Sequence, residues 1–143
     1  MSDDQFWRFA RKRVLFWLST AIELAGYGVT PLSLSEALRS APLSVEETTS
    51  SAFASGYLYR CLQNAERRRA AGSVKRKDYG RLDSCIAFWM TEFCALGERT
   101  RSCITFEIMG YLEQHIHGNQ FGCDPSSIVD DEDLDWEDWQ MLS

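Results

Sequence analysis

The 143-residue chain has no run of about 18 apolar residues, and a helix needs roughly that many to cross a bilayer. Its nearest approach is Cys85 to Leu96, where only Thr91 and Glu92 are polar; that is the length of a core helix. Signal-peptide features are missing too, because the start, Ser2-Asp3-Asp4, is acidic rather than basic. No CxxC pair occurs among Cys61, Cys85, Cys94, Cys103 and Cys123. Their number is odd and four fall inside apolar helical patterns, which predicts reduced, buried thiols in a cytosolic protein rather than a disulfide framework. A zinc site joining them to His115 and His117 has the wrong ligand spacing, so no metal and no cofactor is expected. A Gly-rich phosphate loop and a GxSxG elbow are absent. The two histidines stand two residues apart, hence on different helix faces. With no catalytic set, enzymatic activity is not expected. No segment alternates apolar and polar residues, so no sheet is expected either.

What the chain does have is a large apolar fraction, 45%, and a net charge of −6 that is unevenly spread. Of 21 acids, eight lie in 124–143 with no base among them (Asp124, Asp130, Asp131, Glu132, Asp133, Asp135, Glu137 and Asp138). The body is therefore almost neutral. Its length suits one domain, 1–123, that needs no staple, followed by an acidic, Trp-containing segment, 124–143. Trp136, Trp139 and Leu142 are spaced for one face of a short helix, and both a docked helix and a mobile tail are open. Arg67, Arg68, Arg69, Lys75, Arg76, Lys77 and Arg81 form a basic stretch. Such a stretch suits nucleic acid or acidic lipid as a partner. No aromatics interleave with these bases, so a stacking platform for nucleic acid is not indicated.

Helical periodicity and caps divide the body. A first helix is predicted from Asp3 to Ala25, with Val14, Leu18, Ala21 and Ala25 on one stripe and Gly26-Tyr27-Gly28 as its stop. Arg8, Arg11, Lys12 and Arg13 read as its solvated face. A short helix, 33–41, lies between Pro31 and Pro42. Ser44 to Glu47 matches a capping box that opens a helical stretch towards Phe53. Gly56 interrupts it, and a helix over 57–71 ends at Gly72. The segment 82–96 is apolar nearly all round, which predicts a central helix sheathed by the others. A last helix, 102–117, carries Ile104, Ile108, Leu112 and Ile116 at steps of four, before Gly118, Asn119 and Gly122.

The most informative residues precede the central helix: Asp78-Tyr79-Gly80-Arg81. Asp78 suits the helix cap, Gly80 permits close approach of another backbone, and Arg81 opposes the macrodipole at a helix start. A cation in that place suggests an acidic group on a partner. Asp78-Tyr79-Gly80-Arg81-Leu82, followed by an apolar helix with Phe88, resembles the first homology motif of the Bcl-2 family of apoptosis regulators, Asn-Trp-Gly-Arg. Leu24-Ala25-Gly26-Tyr27 resembles the end of that family's first helix. Ser35 to Ala41 resembles the start of its second, Ala52-Phe53 an Ala-Phe pair of its groove wall, and Tyr111 to Ile116 a degraded second motif. The resemblance spans roughly 10–123. Departures include Pro42-Leu43 where the family's BH-3 segment has Gly-Asp, a missing long loop after the first helix, His115 in place of a Trp, and an acidic tail where an anchor is usual. A small, anchorless member looks most like a homologue carried by a large DNA virus.

The resemblance implies an all-α bundle of about seven helices around 82–96. It also implies a survival-type protein that sequesters BH-3 helices of pro-apoptotic host proteins in an apolar groove. Arg81 would clamp the helix's aspartate, with Asp78, Tyr79 and Gly80 beside it. Val45, Ala52, Phe53, Tyr57, Leu62 and Phe88 are groove-wall candidates, each with plain core as its alternative. Arg81 has the alternative of a surface pair with Asp78 or Asp83. Expected localisation is cytoplasmic, in the host cell for a viral chain, with peripheral mitochondrial association and homodimerisation left open. Two rivals stand beside this expectation: a pro-death member of the same fold, and an unrelated helical effector that uses 67–77 and the acidic tail to engage a charged partner, nucleic acid being the candidate.

Overall fold

A computed structural model describes residues 3–118, which are all-α, with no strand among them. The acidic segment 124–143 and the turn to Cys123 lie outside the described residues. Helix α1 is Asp3–Leu24, α2 Pro31–Arg39, α3 Ser51–Ala54 and α4 Tyr57–Ala70. Helices α5 (Tyr79–Ala87) and α6 (Phe93–Ala95) are joined by a π-helical stretch, Phe88–Glu92, into one rod, and α7 is Glu98–Gly118. None of these helices is long and apolar enough to cross a membrane.

The helix ends follow from local chemistry. Gly26 adopts φ 83 and closes α1 as a Schellman motif: Tyr27 N–H donates to Ile22 O at 3.1 Å and Gly26 N–H to Glu23 O at 2.9 Å. A Cβ at Gly26 would collide with the Arg68 guanidinium, so the glycine also lets α4 pack against this corner. Asn64 of α4 then donates to Ala25 O at 2.7 Å. Thr30 starts α2 through a reciprocal cap with Ser33. At the start of α4, Leu58 N–H donates to Ser40 Oγ at 2.9 Å, a cap supplied from the end of α2. Gly56 makes room for it, because a Cβ there would lie 2.6 Å from Ser40 Cβ.

Some local expectations change. Ser44 Oγ does accept from Glu47 N–H at 3.2 Å, but Glu47 reaches back to Leu43 N–H and the segment is a 3-10 turn, Glu46–Thr49. Asp78 precedes α5 without a side-chain cap; its carboxylate faces Arg81 instead. Arg101, which lies before the helix expected over 102–117, is buried in α7 and donates to Leu96 O at 2.6 Å, satisfying a carbonyl at the end of α6.

One apolar cluster joins α1, α2, α4, the α5–α6 rod and α7, with Phe53 of α3. The expected central helix is not the enclosed one. Ser84, Ala87, Thr91, Glu92 and Ala95 of the rod are exposed, while α1 is buried from Val14 to Ala25 save for Glu23. Helix α1 touches α2, α4, α5 and α7. The reason is that Ser84, Ala87 and Ala95 have little apolar area to hide, so leaving them in water costs little. The rod's inner face, Leu82, Cys85, Phe88, Trp89 and Phe93, packs inward. Nor do the arginines of α1 form a purely solvated face. Arg11 pairs with Glu107 of α7, and Arg13 with both oxygens of Glu92 while lying 5.6 Å over the Phe88 ring. These pairs join elements 79 and 96 residues apart in sequence, which helical periodicity does not report.

Cys61, Cys85 and Cys94 are buried and free, whereas Cys103, expected inside, is exposed on α7. Burial raises all three inner thiols, Cys61 to about 11 from 9.0. A folded value above the unfolded one makes this contribution to stability complete below pH 9 and lost as pH rises towards 11. Denaturant midpoints are therefore expected to fall across that window. In the native protein at neutral pH, iodoacetamide should label Cys103 quickly and the three inner cysteines only after unfolding. Peptide mass spectrometry reads the order, and equal labelling of Cys85 and Cys103 would contradict it.

Candidate functional site: an apolar cleft between α4 and α5

Helix α4 begins with its inner residues Leu58, Cys61, Leu62 and Ala65 against the core. The adjoining face of the same helix carries Tyr59, Leu62, Gln63 and Glu66 at steps of three and four, which places them in one row. Across from them stand Ile86 and Met90 of the α5–α6 rod. The two rows line an open, mainly apolar cleft of about 240 Å³. Phe53 of α3 backs it, edge-on to Tyr59 with ring centroids 5.5 Å apart, and Gln63 Nε2 donates to Tyr59 Oη at 3.3 Å.

A charged cluster gathers around Glu66, which belongs to the lining. Arg69 donates to Asp83 Oδ1 at 2.7 Å and to both oxygens of Glu66, each at 2.7 Å. Its guanidinium also lies 5.7 Å over the Tyr79 ring. These hydrogen bonds, Asp83 first, raise the Arg69 pKa above its ordinary value, so the guanidinium is charged at any working pH. The cleft thus offers apolar burial and one oriented cation. No nucleophile–base pair lines it, and no group of His, Cys, Asp and Glu among the described residues is arranged to hold a metal.

Only part of the expected site comes together here. Leu62 lines the cleft and Tyr79 lies against the charged cluster beside it. Arg81 does not reach it: its Nη2 lies 3.6 Å from Asp78 Oδ1 and 3.8 Å from Glu23 Oε1, on the α1 side of the molecule. Successive helical residues turn by about 100°, so Tyr79, Asp83, Ile86 and Met90 share a face and Arg81 lies roughly opposite it. Asp78 goes with Arg81. Gly80 is exposed, and a Cβ there would meet nothing within 4 Å, so no close approach is built around it. Tyr57 stacks on Tyr27 at 6.0 Å, near the end of α1. Phe88 is core, stacked on Trp17 and edge-on to Trp89, and Phe53 is buried behind the cleft. Val45 and Ala52 are exposed and do not line it.

None of Tyr59, Gln63, Glu66, Arg69, Asp83, Ile86 and Met90 is a groove candidate in the sequence, where Arg69 reads as part of the basic stretch and Asp83 as a surface partner of Arg81. Their signal is the second stripe on each helix, the one beside the core stripe. A scan against protein-family models, a search of curated proteins and a search of solved structures each return no match to this chain.

Proposed function

We propose that this chain is a non-catalytic, survival-type binding protein of the Bcl-2 kind that holds an amphipathic BH-3 helix across the α4–α5 cleft. The observation that carries this is the apolar cleft itself, walled by Leu62, Ile86 and Met90, with an arginine bonded to its lining residue Glu66. In helix-in-groove recognition, apolar side chains at helical spacing enter pockets and a polar contact fixes orientation. Arg69, not Arg81, takes the clamp role. Its partner Asp83 is largely exposed, and exposed pairs are weak, so a ligand aspartate can replace Asp83 at little cost. The survival sign is supported by α2, which stops at Arg39, short of Pro42 and Leu43. A chain whose own BH-3-like segment breaks there is a poor ligand helix and is better suited to receive one.

Calorimetric titration with a panel of BH-3 peptides tests this. Arg69→Ala is expected to weaken binding about tenfold or more, as truncation of an interfacial charge does, and Arg81→Ala to leave it within about twofold, because Arg81 lies on the opposite face of α5 from the cleft. The reverse order would remove the clamp from Arg69, and no heat with any peptide would remove the proposal.

A further inference from the structure

A second concavity, of about 540 Å³, opens on the opposite side of α5, between the end of α1, the end of α4 and the 73–78 connector. Arg68, Arg81, Lys75 and Lys77 face it, with Glu23 and Asp78 as the opposing charges. Two guanidiniums here are under-used. Arg68 makes no side-chain hydrogen bond or ion pair among the described residues, and its Nε is buried without an acceptor. The Nε of Arg81 is likewise buried and unpartnered. The contacts of Arg81 with Asp78 and Glu23, 3.6 and 3.8 Å, are longer than hydrogen bonds.

Buried donors without acceptors are rare in folded proteins and costly where they occur. The Arg68 and Arg81 side chains line the same cavity, which is large enough for a small ligand. The site is also preformed. Gly26, having no side chain, leaves the Arg68 guanidinium its seat against the α1 corner. Val74 is buried and, with the Asp78 N–H to Lys75 O bond of 2.8 Å, fixes the connector that carries both lysines. Two planar forks matched to oxyanions, plus two flexible point charges, are what phosphate recognition uses.

We infer that this pocket binds a phosphomonoester oxyanion through Arg68 and Arg81, with Lys75 and Lys77 closing over it. The inference goes beyond the cleft and does not depend on it. The phosphate can belong to a free phosphorylated small molecule or to a lipid headgroup, because both present the same oxygens.

Titration of the full chain with inositol trisphosphate, and flotation with vesicles of phosphatidylcholine with or without phosphatidylinositol bisphosphate, tests this. Binding of the free anion, or of the phosphoinositide vesicles alone, supports the inference and identifies the source. Either should fall about tenfold or more in Lys75→Gln/Lys77→Gln, two exposed positions, and also in Arg68→Gln, with circular dichroism unchanged in the first. The affinity should also drop steeply with salt. Absence of binding to both probes, or equal binding by wild type and both variants, would overturn it. So would binding to duplex DNA alone, which would mark a diffuse basic surface instead. BH-3 peptide titration of the same lysine variant is expected to match wild type, so failure here and failure of the cleft are separable.

Discussion

Trp89→Ala is expected to lower folding stability by about 3–5 kcal/mol, the range for truncating a buried aromatic. Trp89 has no exposed surface. Its ring lies 4.8 Å from Phe88 and 5.0 Å from Phe93, and its Nε1–H donates to Trp17 O at 3.2 Å, tying the π-helical stretch to the middle of α1. Truncation removes the aromatic contacts and opens a cavity where the rod meets α1, and it deletes a buried donor. Typical domains are stable by about 5–15 kcal/mol, so the variant should be near the edge of folding at room temperature. Guanidinium unfolding followed by circular dichroism measures the change. A loss below about 1 kcal/mol would mean that the rod is not anchored on α1.

Met90→Glu is expected to weaken BH-3 peptide binding by about a hundredfold while costing much less stability than Trp89→Ala, since Met90 is only part-buried against the core. Met90 is half-buried on the cleft wall, so in the free protein a glutamate there stays hydrated. A docked helix would bury that carboxylate among Leu62, Ile86 and its own apolar residues, and an unpaired charge in such a place is strongly disfavoured. Glu66, on the facing wall, adds like-charge repulsion. Parallel calorimetry and thermal melts separate the two effects. An unchanged affinity would place the peptide elsewhere on the molecule.

Much of this fold is legible in the sequence, because helix ends depend on nearby residues. The Gly26 and Gly72 stops, the interruption at Gly56 and the Ile104–Ile108–Leu112 stripe are each local signals, and each has its structural counterpart. What escapes is non-local. Ser40 caps a helix whose first turn is 18 residues away, and the π-helical turn around Trp89 answers to packing against α1. Which helix becomes most enclosed depends on the area each neighbour covers, so the apolar run 82–96 points to the wrong one.

The site shows the same division. An arginine at a helix start is a visible anomaly, and the structure gives it a setting: a cavity with Arg68, away from the apolar cleft. Face assignment from the 100° helical step would have separated Arg81 from Ile86 and Met90. The pairing of Arg69 with Asp83 needs the α4–α5 crossing, which no residue pattern supplies.

An NMR titration of the nitrogen-labelled full chain with an unlabelled BH-3 peptide tests the central claim most directly. Amide shifts should concentrate on Tyr59 to Arg69 and on Asp83 to Met90, the two walls of the cleft, with little change at Glu23, Lys75 or Lys77. A spectrum unmoved by excess peptide, or shifts centred away from both walls, would contradict it.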